Sequence, residues 1–408
     1  MPLISYSDAL ASVLDYCDRE LPIETVPLVL ALGRVLARPV VAAENIPAHP
    51  NSAMDGYAIR AADTAGATEA APARLKVIGE SAAGSVFEGI VGAGEATRIM
   101  TGGLIPEGAD AVIEIEATTE TNATVEIRRE AAVGKSIRKI GEDIAAGTEA
   151  IGAGGRITPG DIGVLASLGV VNVPVRVKPK VGILSTGSEI VEAFRTPAAG
   201  QVRNSTLPAL YAACAEAGAE PIDLGIVGDD RDELEERLEE GLRYDILITT
   251  GGVSAGAYDF VQEILPALGV EVQFHKVNIR PGKPVLFGTF GEAAHRTLVF
   301  GLPGNPVSTL VTFRQFVAPA IARLLRRTGP PLRLKARLAS PLPAVGDGRR
   351  HFVRAIVSDN EHGDLIVTTT GTQSSGAMSS MSRANCLIII SEAAGAPAAG
   401  SMVDVELL

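Results

Sequence analysis

The chain has 408 residues, of which 46% are hydrophobic and 21% charged, a size that predicts roughly two to four soluble domains. Its 36 basic and 48 acidic side chains give a net charge of −12, which argues against nucleic acid or an anionic membrane as main partner. Cys17, Cys214 and Cys386 lie far apart without CxxC or Cys/His spacing, which disfavours a zinc site or disulfide framework and favours the reducing cytoplasm. Neither a signal peptide nor a membrane span is expected, because the start lacks a basic region before an apolar one and no apolar stretch approaches about 18 residues.

The first part of the chain is expected to be helical. Residues 5–21 carry apolar side chains at helical spacing, with Ser5 or Ser7 available as an N-cap. Residues 25–42 predict a second helix, interrupted by Gly33. A further capped helix is expected after Thr158, and its segment is predicted to return to the N-terminal helices. We therefore predict a discontinuous helical or linking domain formed by residues 1–50 and 145–177.

Residues 51–144 predict a small β domain of meander or barrel type. Short β-rich runs at 75–78, 96–100 and 111–115 alternate with Gly, Pro and Asn.

Residues 178–328 alternate regularly between strand and helix patterns. Strands are predicted at 180–184, 221–226, 245–249 and 297–300, and helices at 206–218, 230–242, 260–268 and 306–326. This alternation predicts a doubly wound parallel sheet, with residues 271–288 as a β excursion over its functional edge. Residues 329–408 predict a small C-terminal β-barrel-like domain, with strands at 334–338, 351–357, 364–369, 386–390 and 402–407. The fold class is a multidomain α/β plus β protein.

Four predicted strands of the α/β domain end in polar or glycine-rich segments, which are called here the first to fourth strand exits in chain order. Their candidate residues are Ser185, Thr186, Gly187 and Glu189; Asp229 and Asp230; Gly251, Gly252, Ser254 and Asp259; and Pro303 and Pro306. Parallel strands bring their carboxyl ends to one edge, where glycine loops suit phosphate and carboxylates suit a divalent cation. Ordinary turn chemistry explains any single exit equally well, and an Asp ahead of the helix at 230–242 is a plausible N-cap.

Two other groups of residues are candidates for binding. Arg280 and Lys283 flank a Pro-Gly turn, which suits a pre-organised clamp on an oxyanion; the alternative is a solvated basic turn. In the β domain, Asp55, Thr101 and the basic-acidic stretch at 137–143 lie in turn-rich motifs, which structural β-turn hydrogen bonds would also explain.

Taken in order, these segments resemble the molybdopterin molybdenumtransferase family (the MoeA type, related to the E domain of gephyrin). The matching stretches are NSAMDGYAIR, RIMTGG, IRKIGEDI, GILSTGSEIV, GQVRNS, TTGGVSAGAYD, IRPGKPVLFG and GLPGNPVS. The resemblance implies an enzyme that inserts molybdate into adenylylated molybdopterin and releases AMP, with Mg²⁺ required. It also implies a MogA-like α/β domain, a homodimer with its site between subunits, and the molybdopterin adenylyltransferase as a further candidate partner.

The resemblance also implies roles for individual residues. The implied catalytic residues are Asp55, Thr101, Glu189, Asp229 and Asp259. The implied substrate-binding residues are Arg138, Ser185, Thr186, Gly187, Gly251, Gly252, Ser254, Arg280, Lys283, Pro303, Pro306 and Ser375. The implied metal ligands are Asp143, Glu189, Asp229 and Asp259. Ser375 is one of five serines in residues 373–382, and Asp230 is the alternative to Asp229.

Two other functions remain open from the sequence. A molybdopterin adenylyltransferase would need only about 150–200 residues, resembling the α/β domain alone, and the β domains argue against it. A non-catalytic gephyrin-like scaffold module is disfavoured by Asp55, Thr101, Glu189 and Asp259. Release of AMP from adenylylated molybdopterin, as opposed to consumption of ATP, separates the candidate activities.

Overall fold

The computed structural model describes residues 3–252, 260–329, 331–342 and 345–408. Across these ranges, no helix is long and apolar enough to cross a membrane. The chain forms an N-terminal helix, a linking region of short strands, a mixed β-sheet, an α/β sheet and a C-terminal barrel.

The N-terminal helix Tyr6–Asp15 begins at Ser5, whose side chain accepts a hydrogen bond from the Asp8 amide. Its apolar face packs in the same core as the α/β sheet. The Tyr6 hydroxyl donates to Gln315 Oε1 at 2.8 Å, and Ile4 forms a parallel bridge with Val277. The helix therefore supports the α/β region directly.

The linking region joins the two segments that were predicted to form one discontinuous unit. Strand Ile23–Pro27 pairs with Asn172–Arg176, and Val40–Val41 pairs with Glu149–Ile151, both antiparallel. The helix Pro159–Ser167 has the predicted start: Thr158 and Asp161 form a reciprocal capping box, with proline at the first position. Its buried side chains pack with Leu36 and Val175.

The predicted second helix over residues 25–42 is wrong. The structure has the strand Ile23–Pro27 followed by a single 3₁₀ turn, Leu28–Leu30. Backbone pairing with Asn172–Arg176 satisfies the strand, and Gly33 then takes a left-handed φ of 74°, which ends any helical path. The apolar spacing misled because Val29 and Leu30 are exposed instead of buried.

Residues 51–144 form a six-stranded mixed sheet that is apolar on its inner side. Its strand order is Ala111–Glu114, Gly56–Ile59, Glu95–Ile99, Ala73–Ser81, Thr124–Ile127 and Thr118–Thr121. A separate small pair joins Asn51–Ser52 to Ile137–Arg138, and 3₁₀ turns occupy Ala61–Thr64 and Ile115–Ala117. These turns and the paired segments bring the candidate residues of the β region to the surface.

The α/β region is doubly wound, as predicted. Its strand order is Glu220–Val227, Lys180–Thr186, Ile246–Thr250, Thr297–Leu302, Leu286–Phe290 and Glu271–Phe274. Helices Thr206–Ala217, Pro306–Thr312 and Ala318–Leu324 cover one face, the last two joined by the π-helical turn Phe313–Val317. Helices Arg231–Gly241 and Phe260–Ala267 cover the other face. The near-continuous apolar strands follow from this burial on both sides.

Residues 271–288 differ from the prediction of an excursion over the sheet edge. Strands Glu271–Phe274 and Leu286–Phe290 instead extend the sheet antiparallel to Thr297–Leu302. Between them, Ile279–Arg280 leaves this sheet and pairs with the C-terminal region. The basic turn is thus placed at the boundary of two sheets.

The C-terminal residues form the predicted barrel. Five strands close on themselves, in the order Arg350–Asp359, Leu365–Thr369, Arg333–Leu338, Met402–Leu407 and Cys386–Ile390. Closure is possible because Ala355 pairs with Thr369 on one side and with Cys386 on the other. A short helix, Met378–Arg383, lies beside the longest strand.

Candidate functional site

The strand exits of the α/β sheet lie at one edge. The Gly187 amide donates to Val227 O at 3.0 Å, and the Gly251 amide donates to Leu302 O at 3.2 Å. The first bond joins the first and second exits, and the second bond joins the third and fourth. Ser185 is in register with Thr250 on the neighbouring parallel strand, which brings the two pairs together. This is the edge at which open α/β sheets bind ligands.

Ser185 and Thr186 are buried beneath this edge, and their hydroxyls are engaged within the protein. Ser185 Oγ accepts from Asn204 Nδ2 at 2.9 Å, while Thr186 Oγ1 donates to Thr250 O at 3.1 Å. The two hydroxyls therefore stabilise the ends of the strands from which the loops begin. Ser254 and Asp259 lie outside the described residues.

The glycine loop requires glycine at its start. Gly251 has a φ of 86°, and a Cβ there would lie 2.6 Å from Thr186 O. Gly252 follows in the same left-handed region. The backbone can therefore pass close to Thr186, which no larger residue would allow.

The two aspartates at the second exit have different partners. Asp230 caps the helix Arg231–Gly241 by accepting from the Glu233 amide at 3.1 Å. Asp229 Oδ2 accepts from Ser188 Oγ at 2.7 Å, and the Asp229 amide donates back to the same hydroxyl at 3.0 Å. Asp229 thus belongs to the sheet edge, next to the loop that carries Glu189. Both Asp229 and Glu189 are exposed, and neither has an ion-pair partner among the described residues.

The basic turn forms one wall of a cleft of about 470 Å³ between the α/β region and the barrel. Its cationic and hydroxyl side chains come from both: Arg280, Lys283, Ser308, Arg349, Arg354, Ser374 and Ser375. Gly282 has a φ of 96° and packs against Thr312, so that a Cβ would lie 2.3 Å from its Cγ2. The clamp is therefore held rigidly against the helix that follows the fourth exit.

Arg354 is the most unusual residue of the cleft, and the predicted residues do not include it. It is 1% exposed, yet its guanidinium donates to three neutral acceptors among the described residues: Ser380 Oγ at 3.1 Å, Ser374 O at 3.0 Å and Thr372 O at 3.4 Å. No described carboxylate pairs with it. Desolvation lowers its pKa to about 10, so it stays charged at neutral pH. A charge inside the apolar strand run HFVRAIV was the available sequence signal.

The proline turn and the C-terminal serine meet at this cleft. The Val307 amide, directly after Pro306, donates to Ser375 O at 3.1 Å. Pro303 O accepts from Thr309 Oγ1, which fixes the turn on its own helix. Ser375 therefore adjoins the fourth strand exit, and it is one of two neighbouring serines in the cleft lining.

A second group of candidates lies in the β region. Asp55 Oδ1 accepts from the Thr101 amide at 2.6 Å and from Thr101 Oγ1 at 2.7 Å. These bonds hold the pKa of Asp55 below its usual value. Arg138 is exposed on the short strand that pairs with Asn51, and the exposed Asp143 donates its amide to Ile46 O.

The predicted residues thus fall into two groups. The cleft lining contains no residue of 51–144. Within the described ranges, no hydrogen bond or ion pair joins Asp143 to Glu189 or Asp229, and no three His, Cys, Asp or Glu residues cluster as a metal site.

Fold and cleft together define a multidomain protein in which a basic cleft lies between a doubly wound α/β region and a β-barrel. Family models match along the chain: MoeA N-terminal region (domain I and II) at 4–169, probable molybdopterin binding domain at 182–323, and MoeA C-terminal region (domain IV) at 335–408. A Bacillus subtilis relative, "Molybdopterin molybdenumtransferase", is 40% identical over 391 residues, covering 94% of this chain and 90% of its own. A Haemophilus influenzae relative of the same name is 36% identical over 380 residues, covering 92% and 91%.

A solved structure agrees with these relatives. The crystal structure of the molybdopterin biosynthesis moeA protein from Pyrococcus horikoshii OT3 superposes with a TM-score of 0.84 at 33% identity, covering 100% of both chains. The chain belongs to the MoeA family of molybdopterin molybdenumtransferases, transferases of molybdenum cofactor biosynthesis.

Proposed function

We propose that this protein inserts molybdate into adenylylated molybdopterin, with release of AMP. The observation that carries the proposal is the buried guanidinium of Arg354, which has no described counter-anion and lies in a cleft with Lys283 and Arg349. A buried charge is costly unless an opposite charge compensates it. A small dianion such as molybdate would supply that charge.

The cleft offers what a tetrahedral oxyanion needs. Its cations provide several N–H donors from different directions, and Ser308 and Ser375 add hydroxyls. Guanidinium and ammonium groups held in place before binding stabilise negative charge more than mobile ones do. In this proposal the glycine loop at Gly251 and Gly252, at the neighbouring strand exits, binds the phosphates of the nucleotide part of the substrate.

Mg²⁺ would be held at the strand exits. Glu189 and Asp229 are exposed carboxylates on adjoining loops, and Asp259 is predicted to complete the set. This donor set fits Mg²⁺, which binds proteins through one or two carboxylates and takes its remaining ligands from water and phosphate. The bound ion would supply charge neutralisation at the phosphoanhydride. Asp143, on the β region, is proposed as a ligand only through a second subunit.

The protein's own residues act by binding and orienting. Cleaving a phosphoanhydride depends on charge stabilisation more than on a covalent nucleophile. Burial raises the pKa of Cys17 and Cys214 to about 12 and that of Cys386 to about 11, so these thiols remain protonated at neutral pH. They are free and buried, which supports a reducing, cytoplasmic location.

We also propose a homodimer. Four apolar side chains of the linking region are largely exposed: Val29 at 83%, Leu30 at 64%, Leu32 at 58% and Val171 at 65%. The Leu28 amide donates to Val171 O at 2.9 Å, which brings the two segments together as one surface, called here the linking patch. A second copy of the chain would remove the linking patch from water.

The adenylylated substrate must come from an adenylyl-transfer reaction, and the enzyme of that reaction is a candidate partner.

The function is tested by following AMP release from adenylylated molybdopterin with molybdate and Mg²⁺. We expect release to require both, and consumption of ATP to adenylylate molybdopterin would contradict the proposal.

Arg354→Gln should weaken molybdate binding about tenfold to a hundredfold, since hydrogen bonds to charged groups contribute about 1.5–3 kcal/mol. Arg383→Gln is the control, because Arg383 is an exposed arginine of the same region that bonds only to Ser379 O. Equal molybdate affinity in the two variants would show that the cleft is not the oxyanion site.

A further inference from the structure

Asp347 is a carboxylate next to the basic cleft, in contact with residues that line it. Its Oδ2 accepts from Arg349 Nε at 3.0 Å and lies 3.5 Å from Arg280 NH1. Its Oδ1 contacts His351 Nε2 at 2.7 Å and accepts from the Arg349 amide at 3.2 Å. One side chain therefore joins three of the cleft's basic residues.

These residues come from both walls of the cleft. Arg280 belongs to the α/β region, whereas Arg349 and His351 belong to the barrel. Backbone pairing fixes the junction, because Arg280 is in register with His351 and the Arg350 amide donates to Asn278 O at 3.0 Å. The Asn278 side chain adds a hydrogen bond from Nδ2 to Gly348 O at 2.8 Å. Asp347 thus sits where the two sheets are hydrogen-bonded together.

Asp347 is a charged group at every working pH. Its hydrogen bonds from Arg349 and His351 hold its pKa far below the usual range. A permanent negative charge beside the cations of the proposed oxyanion cleft can affect oxyanion binding in two opposite ways. It can compete with the oxyanion for the cations, or it can hold the cations in the geometry that the oxyanion needs.

The hydrogen-bond geometry favours the second consequence. Both oxygens of Asp347 are occupied by protein donors, and Asp347 itself is not among the residues that line the cleft. A guanidinium has five N–H groups in a fixed fork, and Arg349 binds Asp347 through Nε and Nη2, so the N–H groups of its Nη1 are not used by Asp347. Arg280, Arg349 and His351 do line the cleft. Asp347 therefore lies behind the cations as seen from the ligand.

We propose that Asp347 is a positioning residue for molybdate, which ties Arg280 of the α/β region to Arg349 and His351 of the barrel. This inference rests on the proposed oxyanion cleft and deepens it. Carboxylates that orient binding groups in this way typically change affinity about 10- to 100-fold when removed. Because the depressed pKa of Asp347 means that its ionised form also stabilises the fold, urea denaturation of each variant is measured beside molybdate binding.

The test compares Asp347→Asn with wild type by equilibrium dialysis of radiolabelled molybdate and by steady-state kinetics. Asparagine keeps the size but loses the charge and one acceptor. We expect the molybdate Kd and KM to rise about tenfold, with kcat at saturating molybdate and the KM for adenylylated molybdopterin unchanged. Asp347→Glu, which retains the charge, should restore part of the affinity. The control is Asp404→Asn, because Asp404 forms an exposed ion pair with Lys335 elsewhere on the barrel.

The sign of the change decides the outcome. Tighter molybdate binding by Asp347→Asn would show competition and overturn the positioning role, and an unchanged Kd would overturn it too. An equal loss in Asp404→Asn would attribute the effect to the barrel as a whole and would also refute it. If wild type and Arg354→Gln bind molybdate equally, the cleft itself is misassigned, and both proposals fail. If Arg354→Gln weakens molybdate binding but Asp347→Asn binds molybdate as wild type does, the proposed cleft is supported and only the positioning role of Asp347 is refuted.

Discussion

At the scale of single residues, hydrogen bonds decide how the exposed carboxylates titrate. Asp55 is exposed, and two donors from Thr101 stabilise its ionised form. Its folded-state pKa is therefore lower than in the unfolded chain. The stabilisation is present above the unfolded pKa and is lost as pH falls through the folded pKa. Asp55 thus remains an acceptor under mildly acidic conditions.

Thr101→Val removes the hydroxyl donor and leaves the backbone donor. We expect the pKa of Asp55 to rise toward its ordinary value, and the acid limb of the activity profile to move to higher pH. An NMR titration of the Asp55 carboxyl carbon measures the pKa directly. Thr119→Val is a control at an exposed threonine of the same sheet, bonded to Arg128. A shift of equal size in this control would contradict the assigned cause.

Arg354 shows what residue patterns leave undetermined. Its position within an alternating strand is visible in HFVRAIV, but the sequence does not show which groups surround the guanidinium. Ser374 and Ser380 reach it from a segment 20 and 26 positions away. Its lack of a described counter-anion is a property of three-dimensional packing. The basic turn with Arg280 and Lys283 can be recognised in the sequence, because the two residues are only three positions apart.

At the scale of elements, the second strand exit separates stability from function. Asp230 supplies the N-cap of the helix Arg231–Gly241, whereas Asp229 bonds to Ser188 on the neighbouring loop. The sequence offered either aspartate for either role, because they are adjacent. Only the direction in which the chain enters the helix distinguishes them.

Asp230→Ala and Asp229→Ala form a matched pair. Loss of the cap should lower the free energy of unfolding by about 1 kcal/mol, with little change in AMP release. Asp229→Ala should do the reverse, lowering AMP release while leaving the urea-denaturation midpoint near that of wild type. Urea denaturation and the AMP assay on both proteins measure this. A similar profile in the two variants would refute the division of roles.

Elements with strong local signals were predicted well, and elements fixed by distant pairing were not. The α/β strands and helices follow from apolar runs and caps, as does the capping box at Thr158 and Asp161. The segment 25–42 failed because its backbone partner, Asn172–Arg176, lies about 150 positions further along the chain. The antiparallel extension by Glu271–Phe274 and Leu286–Phe290 was missed for a different reason: its partners are close in the chain, but an apolar run does not specify the strand beside which it pairs.

At the scale of the whole molecule, the candidate site is divided. The basic cleft is lined by the α/β region and the barrel, while Asp55, Thr101 and Arg138 belong to the β region. The residues of the linking patch lie on both sides of the β region in the chain, and their apolar side chains are exposed. A dimer formed through this patch would offer a partner's β region to each cleft. The division and the exposed patch thus have one common explanation.

Mixing two inactive variants tests whether each site is completed by the partner subunit. Asp55→Asn disables the β-region half, and Arg354→Gln disables the cleft half when molybdate is kept far below the weakened Kd of that variant. If the halves come from different subunits, a heterodimer has one site carrying both changes and one carrying neither. Random assembly from equal amounts then restores about one quarter of wild-type AMP release, because half of the dimers are mixed.

The reciprocal mixture makes the result decisive. Wild type is combined with the double variant Asp55→Asn/Arg354→Gln, and the subunits are exchanged as before. With sites shared between subunits, both sites of a mixed dimer have one defective half, so activity falls to about one quarter of an all-wild-type sample. With sites contained in one chain, every mixed dimer keeps one intact site, and about half of the activity remains. That second result, together with no recovery in the first mixture, would refute a site shared across the dimer and place both halves in a single chain.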